Sequence, residues 1–169
     1  VEYVSYNAIR GSSAGAGWPA TSNVDASSFM GLLRARTGKA FDLPTESQWE
    51  YAVRGGTDTS CFWTADDGWG LDGSDKAYGW NNTNASGWYQ DVGTRLPNPY
   101  GLYDMTGNAE EICRDDWNDS YSYAGVPDDG SAWGESFSLL RGGAYDSNPP
   151  EFVSAFRIGS FMPSGAARP

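Results

Sequence analysis

FDLPTESQWEYAVRGG, residues 41–56, reads as a helix with both ends marked. Thr45 is placed to cap the first turn and Gln48, three residues on, to answer it, a reciprocal pairing that satisfies two backbone N–H groups lacking helical partners. Trp49, Ala52 and Val53 then recur at helical spacing and form the buried side. Gly55 and Gly56 end it, because a helix C-terminus favours a residue free to take positive φ. Upstream, a first helix is expected from Asp25 to Arg36, with Phe29, Leu32 and Leu33 on its apolar face, the Arg36 stem extending that face, and Gly38 as the stop. GSSAGAGWPATSN, residues 11–23, reads as loop.

Downstream of the Gly-Gly stop, from Thr57 to Pro97, the periodicity fails and aromatics alternate with Gly, Asp and Asn. So many rings would not sit in free coil, so this stretch is expected to be a long structured loop region. Short extended candidates follow: QDVGT at 90–94, GLYDM at 101–105, AEEICRDDW at 109–117 and FSLLRGGAY at 137–145. The LLRGG run is the firmest strand, an apolar run followed by two glycines at which the chain leaves a sheet.

The composition agrees with a loop-rich fold held by rings. A chain of 169 residues with no low-complexity linker is expected to be one domain. With 8 Trp and 10 Tyr, it can build a core from few regular elements, since a large ring buries roughly 150–250 Å². A net charge of −11 and a pI near 4.2 repel phosphate backbones and anionic headgroups, so neither nucleic acid nor a membrane surface is an expected partner. No apolar stretch approaches the roughly 20 residues of a membrane span. The absence of histidine removes the commonest general base and metal ligand. Cys61 and Cys113 are open to pairing, burial as thiols, or reaction.

FDLPTESQWEYAVRGG, NPYGLYDMTGNAEEICRDDW (98–117) and LLRGGAYDS (139–147), in this order and spacing, resemble the three signature blocks of the formylglycine-generating enzyme and sulfatase-modifying factor family. The resemblance runs over residues 1–157. It implies an α+β fold of C-type-lectin type in that family's variant, with two helices, short antiparallel strands and long irregular loops. The family's further N-terminal strands and its closing Gly-Phe-Arg strand are not found in the sequence, so an incomplete domain with an open sheet edge is the expectation.

The resemblance also speaks to chemistry. The family's enzymes bind copper through two cysteines after the Gly-Gly-Ser-Tyr block, and in direct register from Gly143 those positions fall on Ser147 and Phe152. Neither supplies a thiolate, so no copper and no catalytic residue are expected. The family's sulfoxide synthases rely on histidines, which this chain lacks. Within YDMTGNAEE the resemblance carries a structural calcium site onto the Asp104 and Glu111 side chains, with Gly107 and Ala109 giving backbone carbonyls; an all-oxygen set is what calcium takes. The alternative is that Asp104 and Glu111 are solvated or turn-capping acids. The acid pairs Glu110–Glu111, Asp115–Asp116 and Asp128–Asp129 read as solvated surface rather than catalytic carboxylates.

From Ala144 to Pro169 the chain lacks Lys, Gln and Trp and shows no clear period, and it reads as surface loop with more apolar residues than an idle loop carries. RGG, then Val153-Ser154-Ala155, Arg157 and a Pro, is similar to the variable region of proteins diversified by retroelements, some of which use this fold. Glu151 and Met162 depart from the residue set such diversification yields. The implied ligand-contact surface is Tyr145, Asp146, Ser147, Asn148, Phe152, Phe156, Ile158, Ser160 and Phe161; the competing expectation is that Phe152, Phe156 and Ile158 are core. The leading reading is a non-catalytic receptor-type module whose ligand is a protein, displayed at the cell surface or outside the cell, with a lipid anchor on another segment as one means of display. The alternatives are a family enzyme or accessory with a degenerate site and a structural subunit of a surface assembly.

Overall fold

The computed structural model describes residues 6–11, 24–64, 73–117, 127, 129–133 and 138–160. Among the described residues there are four helices, α1 (Tyr6–Arg10), α2 (Phe29–Thr37), α3 (Glu46–Arg54) and α4 (Asp75–Tyr78), with a 3-10 helix at Pro149–Phe152. Three short strands, β1 (Glu111–Ile112), β2 (Ser138–Arg141) and β3 (Ile158–Ser160), make a sheet in the order β1-β2-β3. β1 and β2 are antiparallel, with Glu111 opposite Arg141 and Ile112 opposite Leu140. The chain groups into two compact units, one of residues 1–45, 113–139 and 159–169, the other of residues 46–112 and 140–158.

In the first unit, α2 starts at Ser28, whose hydroxyl accepts from Gly31 N at 3.2 Å, and ends at Gly38 with φ 69°. The stop agrees with the sequence, but the buried face does not. Phe29 and Leu32 are each 60% exposed, and the buried residue of α2 is Gly31, where a Cβ would run into the Asp25 carbonyl. A close backbone approach, which only glycine permits, replaces the apolar stripe that spacing suggested. Asp42 holds this unit together electrostatically: the fully buried Arg10 donates to both its oxygens at 2.7 and 2.8 Å, and Arg34 and Arg114 lie at 3.5 and 3.9 Å. Asp115 and Asp116 are buried, not solvated as adjacent acids usually are; Asp115 Oδ1 accepts from Trp133 N at 3.0 Å and Asp116 N donates to Trp133 O at 2.8 Å.

The second unit is organised by α3. Glu46, Trp49, Glu50 and Val53 recur at three- and four-residue spacing, so they share one face of the helix. Trp49 and Val53 are buried, and Gly55 and Gly56 follow with φ 59° and 90°, as the sequence predicts. Glu46 and Glu50 receive arginines: Arg141, fully buried, donates to Glu50 at 2.7 Å and lies 3.5 Å from Glu46, while Arg157 donates to Glu46 at 2.6 and 2.9 Å. Arg141 also donates to the carbonyls of Ser154 at 2.7 Å and Phe156 at 2.8 Å. The segment after the Gly-Gly pair is therefore pinned from within. Of the surface loop expected over residues 144–169, the described part departs from a loop, since it forms the 3-10 helix and contributes Ile158–Ser160 to the sheet; residues 161–169 lie outside the described residues.

Candidate functional site

The loop Asp104–Asn108 turns through positive φ at Asp104 (57°), Gly107 (73°) and Asn108 (64°). Gly107 N donates to Gly142 O at 2.7 Å, and Asn108 N to Trp80 O at 2.9 Å, so the turn is stitched to both neighbouring segments. Glu111 accepts a hydrogen bond from the Trp49 indole N–H. Burial pushes the Glu111 carboxyl above the ordinary carboxylate range; the Trp49 bond pulls it back and the Asp104 charge raises it further. Asp104 spends Oδ2 on Gly93 N at 2.7 Å, and the Gly107 carbonyl accepts from Ala109 N at 2.9 Å. Gly107 is buried and Ala109 exposed. Among the described residues no three His, Cys, Asp or Glu side chains gather as a metal cluster, so any cation here would depend on the carbonyls as much as on the two acids. The donor types suit calcium, and a pair of half-buried carboxylates is the arrangement a divalent ion relieves.

Alongside this turn, Asn108 bridges two surface segments. Its side chain accepts from Gln90 N at 2.9 Å and donates to Gln90 O at 3.1 Å, and its carbonyl accepts from Tyr145 N at 2.9 Å. Asn82 reinforces the join, its N–H donating to Ser147 O at 3.2 Å and its amide to Asn148 Oδ1 at 2.9 Å. Tyr89 and Tyr145 consequently meet edge to face, with ring centroids 4.5 Å apart. Asp146 and Asn148 are exposed, Tyr145 is half-exposed, and Trp88 is 72% exposed. Asn148 and Glu151 cap the 3-10 helix reciprocally.

The expected contact residues divide on this geometry. Tyr145, Asp146 and Asn148 lie together at the surface. Ser147 and Phe152 do not: Ser147 is 7% exposed and its hydroxyl accepts from Ala144 N at 3.0 Å, while Phe152 is 1% exposed, packed against Gly79, Gly107 and Gly143. Both are corrected from contact to core residues, because the Gly-rich turns leave space that only their side chains fill. Phe156 and Ile158 are half-buried, Ser160 ends β3, and Phe161 lies outside the described residues. Spacing gave no sign of Asn108 as the bridge or of Tyr89 beside Tyr145; the one available signal was the clustering of Trp and Tyr after Asn84-Ala85-Ser86-Gly87.

The family model for a sulfatase-modifying factor enzyme 1-like domain matches residues 4–167. The chain belongs to this family. Among curated relatives, the serine/threonine-protein kinase pkn1 of Chlamydia pneumoniae is 30% identical over 118 residues, which is 68% of this chain and 18% of the kinase. The formylglycine-generating enzyme of Thermomonospora curvata is 34% identical over 88 residues, 45% of this chain and 27% of the enzyme. Among solved structures, Treponema denticola variable protein 1 is similar with a TM-score of 0.61 at 30% identity, covering 75% of this chain and 44% of that one. PvdO from Pseudomonas aeruginosa gives a TM-score of 0.69 at 30% identity, covering 82% and 53%. The chain thus spans about a fifth to a half of the proteins it matches. Few helices and a small sheet amid long ordered loops are this family's α+β, C-type-lectin-type fold. Ser147 and Phe152 are packed, and the two cysteines, Cys61 and Cys113, are buried and not joined in a disulfide.

Proposed function

We propose that this family member is a non-catalytic ligand-binding module that presents a surface centred on Tyr145, Asp146 and Asn148, and that its ligand is a protein. The observation that carries the reading is the contrast at the end of the third sequence block. Ser147 and Phe152, at the two copper positions, are spent on packing, while the residues interleaved with them are accessible. The backbone beneath is fixed by Asn82, Asn108 and Arg141, so binding at this face would cost little ordering entropy. Tyrosine beside Asn and Asp is the amphipathic, adaptable chemistry of protein-binding loops. Similarity to Treponema denticola variable protein 1 supports the same direction, and a retroelement-diversified receptor shown at the cell surface is the specific form we favour. No helix among the described residues is long and apolar enough to cross a membrane. Calcium held by Asp104, Glu111 and the carbonyls of Gly107 and Ala109 would serve this role structurally, by fixing the turn that carries Asn108.

Two measurements test the reading. Oxygen consumption with copper and a cysteine-containing peptide should stay at background; copper-dependent turnover would instead make the chain a family enzyme. Sequencing the coding region from several isolates should find substitutions concentrated at exposed positions from residue 144 onward, with Phe152 and Ser147 constrained; uniform invariance would remove the diversified form of the proposal.

A further inference from the structure

Resting on that binding role, we infer that the ligand surface extends beyond residues 144–158 to Trp88 and Tyr89, and that it receives a cationic side chain, Lys or Arg, projecting from a protein partner. Two segments distant in sequence are locked side by side. Asn108 holds Gln90 and Tyr145 at once, and Asn82 holds Ser147 and Asn148. The Tyr89 and Tyr145 rings meet at 4.5 Å and 65°, with the edge of one ring against the face of the other. Trp88, the chain neighbour of Tyr89, is 72% exposed and Tyr89 itself 44%, so this segment presents two adjacent rings to solvent.

The charge of the surroundings selects the occupant. Asp146 and Asp91 are exposed, one residue from Tyr145 and two from Tyr89. The arginines described in the same unit are engaged elsewhere: Arg54 and Arg157 on α3 carboxylates, Arg141 in the interior, and Arg95 over the Trp80 ring at 3.4 Å. Aromatic faces with nearby carboxylates attract a guanidinium or ammonium, through the ring quadrupole and through charge, and repel anions. A chain of net charge −11 reinforces that preference at longer range.

The test is to pan a random 12-residue peptide library displayed on phage against the full chain and to measure the enriched peptides, synthesised and labelled, by fluorescence anisotropy. The expected winners carry Lys or Arg whose replacement by Ala weakens binding about tenfold, and they bind less well at high salt. Trp88→Ala and Tyr145→Ala should each weaken them at least about fivefold, Asp146→Asn less, and Tyr51→Ala, an exposed ring on α3, not at all. All four variants alter surface side chains, so unchanged thermal unfolding serves as the check on folding. Winners without a cation that still depend on Trp88 and Tyr145 would overturn the cationic specificity and leave the binding role standing. Winners indifferent to Trp88 and Tyr145, or no enrichment at all, would overturn the surface itself. So would a concentration-dependent dimer in sedimentation that Trp88→Ala dissolves, since the face would then belong to a second copy of the chain.

Discussion

The ring of Phe152 lies directly under the backbone of Gly143, so close that a Cβ added there would sit 2.9 Å from Cε1 and 3.0 Å from Cδ1. Gly143 has φ 72°, a conformation that side chains disfavour in any case. A Cβ added at Gly107 would sit 2.8 Å from the same ring and one at Gly79 3.1 Å, so three glycines from separate segments converge on one phenylalanine. Phe152→Ala should therefore destabilise the fold by about 3–5 kcal/mol, the cost of emptying a buried aromatic site. Gly143→Ala combines backbone strain with a clash and should cost more than about 1 kcal/mol. Urea unfolding measures both. Near-neutral effects would mean that Phe152 is not the plug of this core and would return it to the ligand surface.

How far the fold was legible follows from these contacts. The α3 block was readable because its signals are local: a buried Trp49 and Val53 at helical spacing and a Gly-Gly stop at positive φ. The α2 face was not, because Gly31 packs by backbone approach, which leaves no apolar residue for a periodicity to register. Residues 144–160 misled in the opposite direction. Their anchors are the Arg141 guanidinium and the underside of a glycine turn, both distant or featureless in sequence, so a pinned segment reads as an irregular one. The exposed residues of the site were legible in type, while Ser147 could be separated from Tyr145, Asp146 and Asn148 only once the Ala144 N–H was seen to bind its hydroxyl.

Arg141 offers a second test. It is fully buried beneath the Trp49 ring, 4.8 Å from its centroid, and its donors reach Glu50, Ser154 O and Phe156 O. Truncation leaves carboxylate and carbonyl acceptors without their cation, so Arg141→Ala should lose about 3–5 kcal/mol. Hydrogen exchange supplies the discriminating readout: amides of residues 154–158 should lose protection in Arg141→Lys, which keeps the charge but not the forked donors. Retained protection there would show that the guanidinium does not hold this segment.

The calcium proposed at this turn and pH would act on the same pair of acids. In the metal-free protein the Glu111 carboxyl is raised above its usual value of 4.5, chiefly by burial and further by Asp104, against the Trp49 hydrogen bond. The folded chain then binds more protons than the unfolded chain as pH rises past 4.5, and stability declines through that window up to the raised value. Added calcium should reverse the decline, raising the melting temperature at neutral pH and losing its effect as Glu111 protonates. Glu111→Gln should flatten the pH dependence, and Asp104→Asn should weaken it. A calorimetric titration without heat, together with melting curves indifferent to calcium, would leave Asp104 and Glu111 as acids of the turn alone.

The last prediction concerns Cys61, a fully buried thiol whose pKa is pushed up to about 11, first by burial and then by the Asp75 charge. Asp75 is itself buried and accepts from the Asn81 amide at 2.5 Å, so the negative charge beside the thiol is fixed in place. Only the thiolate is an effective nucleophile, and the raised value keeps almost none of it at neutral pH. Native protein at pH 8 should therefore leave Cys61 unmodified by iodoacetamide while denatured protein alkylates fully, as mass spectrometry of the tryptic peptide reports. The sign of the linked stability is fixed too: the folded thiol holds its proton above the ordinary value of 9.0, so stability falls as pH rises from there towards about 11. Asp75→Asn should lower the thiol pKa and quicken alkylation relative to the parent chain at pH 9 to 10. Rapid alkylation of the native parent at pH 8 would contradict the burial of this thiol and reopen a chemical role for it.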